Sequence, residues 1–350
     1  MRFLFLCDCQ RTQFYSSSIA CWTQFDMAIA LEKRVHAIPA SYPRNPSTVV
    51  SPDTRLEIVV EEYTVPTTPQ NGLTLLFTHG TSFNKGFWEL IVQELVVKHG
   101  LSSRIKRVLA LDAVTHGDSG VANKGKLVAD KTFWPDHSKD VLRVLEHFRV
   151  EAPVLGIGHS FGGGVLAHAA MMSPSAFVAT VFIEPILFQF PGQTQTIADQ
   201  ALKRRDRWNS YEEASAAFKK SRGMSDWHPT QLQKYIDTAI YQVGSGEQSY
   251  WTLKTTKQQE ASTYIAAPFP AILDLLGVSR QRHYFLLGEK SMVIKHEARE
   301  EVKALSKRPG WTKVLPDAGH LIPMTHPQLI ADELAAIVGD VVGSFSSAKL

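Results

Sequence analysis

One serine in this chain stands where it could act as a nucleophile. Ser160 sits in Gly158-His159-Ser160-Phe161-Gly162, a G-x-S-x-G pattern with an apolar run before it and Gly163 and Gly164 after it. A serine at a sharp strand-to-helix turn is crowded by the residues two before and two after it, so both must lack a side chain. The turn aims the free N–H groups of the helix start at a developing oxyanion. Serine also needs a base within hydrogen-bond reach. Of 13 histidines, His320 in Asp317-Ala318-Gly319-His320-Leu321 is best placed, in the loop after the last predicted strand. A carboxylate must then orient the imidazole. The loop after the penultimate strand reads Gly288-Glu289-Lys290-Ser291, with Ser291 where an aspartate is expected. Glu184 ends the apolar strand after the elbow, where an unpaired carboxylate would be expensive. Glu184 is therefore the expected acid and Glu289 the alternative. The expected oxyanion donors are the backbone N–H groups of Phe161 and Thr81, with Ser82 an alternative for Thr81. His79, His116 and His159 read as structural, and Asp118 as a loop-stabilising carboxylate.

The surrounding elements must bring these residues to one face. Apolar strands are predicted at residues 73–77, 107–111, 153–157, 177–183, 283–287 and 311–315, and a half-exposed one at 55–64. Amphipathic helices are predicted at 85–99 and 136–148, and a last helix at 327–345. Buried strands alternating with helices imply a largely parallel sheet with the site beyond the strands' carboxyl ends. Residues 189–276 break the pattern: they read as polar, helical and rich in aromatics, a cap inserted between two sheet strands. The expected organisation is a disordered extension or misassigned start at 1–26, a core at 27–188, the cap or lid at 189–276, a second core part at 277–345 and a tail at 346–350.

Composition narrows the function classes. A net charge of +3 gives no reason to expect nucleic acid. No apolar run reaches the roughly 18 residues of a membrane span. No dinucleotide spacing, P-loop lysine or metal-ligand cluster is present, so neither cofactor nor metal is expected. All three cysteines, Cys7, Cys9 and Cys21, lie in the first stretch, leaving the body without a disulfide framework and suiting a reducing compartment. The apolar run after Arg2 is too short for a secretory signal. The chain ends Ala348-Lys349-Leu350, a variant of the peroxisomal address, which implies an import receptor as partner and the peroxisome as location.

Four segments together resemble the α/β-hydrolase superfamily: residues 75–81 (LLFTHGT), 112–119 (DAVTHGDS), 158–163 (GHSFGG) and 319–323 (GHLIP). The resemblance implies a mostly parallel eight-stranded sheet flanked by helices, with the cap after the sixth strand. An acid at Glu184 looks like the subgroup that carries it after that strand, as in haloalkane dehalogenases and fungal peroxisomal acyl-CoA hydrolases. Dehalogenases use an aspartate nucleophile, so Ser160 argues against their chemistry. The segments 38–44 and 77–85, with the chain end, look like fungal peroxisomal hydrolases of toxin pathways, in particular those making Alternaria host-selective toxins from an epoxy-decatrienoic acid; a yeast peroxisomal lipase is a looser match. The implied activity is a serine hydrolase acting on an acyl ester or acyl-CoA thioester. An acyltransferase or lipase on the same scaffold, or a non-catalytic binding module, are the alternatives. Lys203, Arg204, Arg205 and Arg207 could meet CoA phosphates, although a solvated helix face explains them more simply.

Overall fold

In the computed structural model, which describes residues 31–64, 72–151 and 153–347, eight strands form one sheet. They are β1 (Glu32–Pro39), β2 (Glu57–Thr64), β3 (Leu73–Thr78), β4 (Ile105–Leu111), β5 (Val154–His159), β6 (Ala179–Ile183), β10 (His283–Gly288) and β11 (Thr312–Leu315). Three short strands, β7 (Arg207–Trp208), β8 (Ile240–Val243) and β9 (Tyr250–Leu253), form a separate sheet. The large sheet runs β1-β2-β4-β3-β5-β6-β10-β11. β2 pairs antiparallel with β1 and β4, and every other pairing is parallel.

The helices are α1 (Trp88–Gln93), α2 (Gly117–Ala122), α3 (Trp134–His147), α4 (Phe161–Met172), α5 (Pro191–Lys203), α6 (Tyr211–Lys219), α7 (Pro229–Ala239), α8 (Lys257–Ile265), α9 (Ile272–Val278), α10 (His296–Leu305), α11 (Ile322–Thr325) and α12 (Pro327–Ser347). Among the described residues none is long and apolar enough to cross a membrane.

The apolar runs explain the central strands. β3, β5, β6 and β10 are buried along their whole length, as expected of parallel strands covered on both faces. Successive side chains point to opposite faces. Phe77 and Ile183 join a core with α1 and α12, while Leu76 and Phe182 join one with α3 and α4. α4 is buried nearly all round, which its run of glycines and alanines permits. Trp208, Phe218, Trp227 and Tyr235, from the segment between β6 and β10, belong to the same apolar cluster as Phe83 and Phe87. That segment therefore shares a core with the sheet.

Three expectations need correction. β1 was not anticipated, because its charged, largely exposed sequence EKRVHAIP buries only Ile38 and so shows no alternating apolar face. Residues 189–276 hold the three-stranded sheet as well as helices; strands of two to four residues are too short for alternation to register. The helix expected over 85–99 is a 3₁₀ turn, α1 and a π turn in succession. The expected extension at 1–26 and the terminal Ala348-Lys349-Leu350 lie outside the described residues.

The loops at the carboxyl ends of β3 and β4 are tied by a buried ion pair. Lys85 is 3% exposed and Asp112 fully buried, with Nζ 2.8 Å from Oδ2. Asp112 also accepts the backbone N–H groups of Lys85 at 2.7 Å and Asp118 at 2.8 Å. Burial works against the lysine's charge, but Asp112 and then Asp118 outweigh it and hold the ammonium above its ordinary range. Asp118 is paired in turn with Lys254 at 2.6 Å, which fits the loop-stabilising role expected of it. Removing one partner of such a pair strands the other in the interior. Lys85→Met should lower the unfolding free energy by about 3–5 kcal/mol, read from urea unfolding. A loss under about 1 kcal/mol would mean the pair does not hold the loops.

Candidate active site

The elbow is built by close contact between backbones. Ser160 follows β5 with φ 53° and ψ −119°, a conformation that non-glycine residues seldom adopt. A Cβ on Gly162 would lie 2.5 Å from the His79 carbonyl oxygen, and one on Gly158 2.7 Å from that of Gly162. Gly80 is under the same constraint, since a Cβ there would meet His159 at 2.8 Å and the Ser160 Cβ at 3.1 Å. The strained turn is held by the Ser160 N–H donating to the Ile183 carbonyl at 3.0 Å, and by the Ser160 carbonyl accepting from Gly164 and Ile186, each at 3.1 Å.

Three side chains then line up. His320 Nε2 lies 2.9 Å from Ser160 Oγ, and His320 Nδ1 lies 3.0 Å from Glu184 Oε2. Glu184 is fully buried. Its Oε1 accepts the Gly288 N–H at 2.7 Å, and its Oε2 accepts the Ser291 hydroxyl at 2.5 Å. Ser291 Oγ itself accepts the Ile294 N–H at 3.0 Å. Glu289, the alternative acid, is exposed and turned away, its Oε2 accepting the Asp317 N–H at 3.1 Å. It does not reach His320, because it stands one residue past the buried end of β10.

The structural histidines sit around this line. His159 Nε2–H donates to the His320 backbone carbonyl at 2.9 Å and so braces the loop that carries the imidazole. The His79 ring bonds the Gly80 carbonyl at 2.8 Å through Nδ1 and accepts the Ala113 N–H at 3.0 Å. Nothing in sequence spacing pointed to His159 as a brace, since its partner is 161 residues away. Ser291 was legible only as the residue standing where an acid was expected.

A cavity opens at Ser160. Thr81, Phe161 and His320 line it beside Ser160, and Trp134, Phe188, Phe190, Ile197 and Ile265 make much of its apolar wall. No Asp, Glu, Lys or Arg is among its described lining residues. The basic run near residue 205 is not a uniform solvated face. Arg204 is paired with buried Glu260, Arg205 with Glu213, and the Arg207 guanidinium lies 3.7 Å from the Tyr250 ring centroid. A buried carboxylate in α8, invisible to helix periodicity, drew Arg204 inward.

Comparison with known proteins gives the family and the fold. A family model described as the alpha/beta hydrolase family matches residues 75–333, most of the chain. The chain belongs to that family. A type I acyl-CoA thioesterase, mpaH of Penicillium brevicompactum, is 30% identical over 194 residues, covering 52% of this chain and 44% of the relative. The matched region thus spans less than half the length of that relative. The abhydrolase domain-containing protein AFT2-1 of Alternaria alternata is 27% identical over 219 residues, covering 53% of this chain and 83% of that protein. Among solved structures, the peroxisomal alpha-beta-hydrolase Lpx1 of Saccharomyces cerevisiae superposes with a TM-score of 0.79 at 23% identity, covering 90% of each chain. That likeness is one of fold. The α/β-hydrolase fold, with its eight-stranded, mostly parallel sheet flanked by helices, is the architecture of this chain.

The buried imidazoles make folding sensitive to acid. Burial, then the neighbouring charges, holds His137 and His159 down to about 3, and burial holds His283 down to about 4. Each is neutral in the fold, whereas an unfolded histidine takes up a proton below about 6.5. Stability from these groups is complete above that value and is lost as pH falls toward 3–4. Between pH 7 and 5 the loss should be on the order of 2 kcal/mol per histidine. Urea midpoints should fall steeply across that window; flat midpoints would show that these histidines do not stay neutral in the fold.

Proposed function

We propose that the chain is a serine hydrolase that cleaves an acyl ester or acyl-CoA thioester through an acyl-enzyme. The observation that carries this reading is the continuous hydrogen-bonded line from Ser160 Oγ through His320 to Glu184, at 2.9 and 3.0 Å. Ser160 Oγ attacks the acyl carbonyl carbon while His320 Nε2 takes its proton. Glu184, fully buried, holds the imidazole by Nδ1 and stabilises its charged form. The N–H groups of Phe161 and Thr81 donate to the oxyanion. Collapse expels the alcohol or thiol, which takes the proton back from His320. Water, deprotonated by the same imidazole, then attacks the acyl carbon; collapse breaks the bond to Ser160 Oγ, which takes the proton back from His320, and the carboxylic acid leaves.

The cavity supports an acyl substrate. Its aromatic and aliphatic wall, free of charged residues, suits an uncharged acyl group. The thioester form is favoured by the likeness to a type I acyl-CoA thioesterase. The segment 189–276 acts as a lid, since Phe190, Ile197 and Ile265 of that stretch form part of the wall. Peroxisomal fungal secondary metabolism of the toxin-forming kind is the proposed setting. Its supports are the likeness to AFT2-1, the likeness to a peroxisomal hydrolase, and the Ala348-Lys349-Leu350 end offered to an import receptor.

Burst kinetics with a p-nitrophenyl acyl ester and a medium-chain acyl-CoA test the chemistry. Wild type should give a product burst, and Ser160→Ala should lose it with a fall in kcat of at least about 10³-fold. Glu184→Gln should lower kcat by about 10³–10⁴-fold. Loss of the burst in neither variant would overturn the mechanism. A fluorescent reporter ending in the last twelve residues should become punctate in fungal cells, and a diffuse signal would remove the peroxisomal setting.

A further inference from the structure

A second buried carboxylate lies near the site and has no part in the mechanism above. Glu260, in α8, is 2% exposed. It is ion-paired with Arg204, the residue that caps the C-terminal end of α5. Its other oxygen accepts a short hydrogen bond from Ser82 Oγ. The Tyr264 hydroxyl lies 2.8 Å from the same Oγ, and the Tyr235 hydroxyl of α7 donates to the Ser82 carbonyl at 3.2 Å. Four side chains from the segment between β6 and β10 thus converge on one residue of the loop after β3, directly or through Glu260.

That residue is strained. Ser82 has φ 74°, the left-handed region that serine adopts only when its surroundings impose it. The residue before it is Thr81, whose N–H is the proposed oxyanion donor. An oxyanion hole acts through donors fixed before the reaction begins, and a misplacement of about 1 Å can cost about 10²-fold in rate.

We propose that Glu260 is a positioning residue: through Ser82 it locks the loop that presents the Thr81 N–H, and its contact with Arg204 holds it in place. The lid segment then does more than enclose the acyl chain; it assembles the oxyanion hole. The inference rests on the reading of Ser160 as nucleophile and of Thr81 as oxyanion donor.

The test uses Glu260→Ala, Glu260→Gln and Ser82→Ala in the full chain, each checked for folding by circular dichroism. Ser82→Ala breaks the link without unpairing Arg204, so it reads the same quantity if Glu260→Ala fails to fold. The probes are a p-nitrophenyl acyl ester and an alkyl trifluoromethyl ketone, which adds to a serine to form a tetrahedral oxyanion. Glu260→Ala and Ser82→Ala should lower kcat by about 10–100-fold, weaken inhibition by the ketone by a similar factor, and leave KM within about twofold. Glu260→Gln, which retains an acceptor for Ser82, should recover a large part of the loss. Unchanged kcat and ketone affinity in folded variants would overturn the inference, as would a rise in KM alone. Wild-type enzyme giving a burst beside such unaffected variants would leave the hydrolase reading standing. Wild type giving no burst and no ketone inhibition would remove that reading first.

Discussion

A carboxylate shut away from water must have its oxygens answered by the protein. Glu184 meets that condition by drawing three donors from at or beyond the ends of two neighbouring strands. Gly288 comes from the end of β10, Ser291 from the loop beyond it, and His320 from the loop after β11. The same interactions fix where His320 stands relative to Ser160. Glu184 thereby ties the β6 and β10 ends to the imidazole loop. The site is therefore a product of burial as much as of residue choice.

Backbone strain gathers on the same face. Ser82, Ser160, Glu184 and Asp317 all have φ between 48° and 74°, and each lies in the loop that follows a strand of the large sheet. Such conformations persist only where surroundings over-determine them. Here the surroundings are the close backbone contacts at Gly158 and Gly162, the Glu184 hydrogen bonds and the converging side chains around Ser82. Parallel strands, rigid and buried on both faces, supply the frame that bears this strain.

The reach of the sequence follows the range of the interactions. Ser160 was legible because its constraints are local: two glycines within two residues answer a clash with the adjoining backbone. The central strands were legible because burial on both faces demands apolar runs. Glu184 was legible by combining two signals, an acid ending an apolar strand and a serine where an acid was expected. β1 escaped because an exposed edge strand needs no apolar pattern, and β7 to β9 because they are so short. The partnership of Arg204, Glu260 and Ser82 spans 178 positions between Ser82 and Glu260, and no spacing rule encodes it. The brace from His159 to the His320 carbonyl is hidden for the same reason.

The central claim is that Ser160 carries the acyl group during turnover. Its most direct test is rapid acid quench of the enzyme during steady-state hydrolysis of a p-nitrophenyl acyl ester, followed by peptide mass mapping. The account predicts an acyl adduct on Ser160 and on no other residue. An adduct on a different residue, or turnover with no covalent species in wild type, would contradict it.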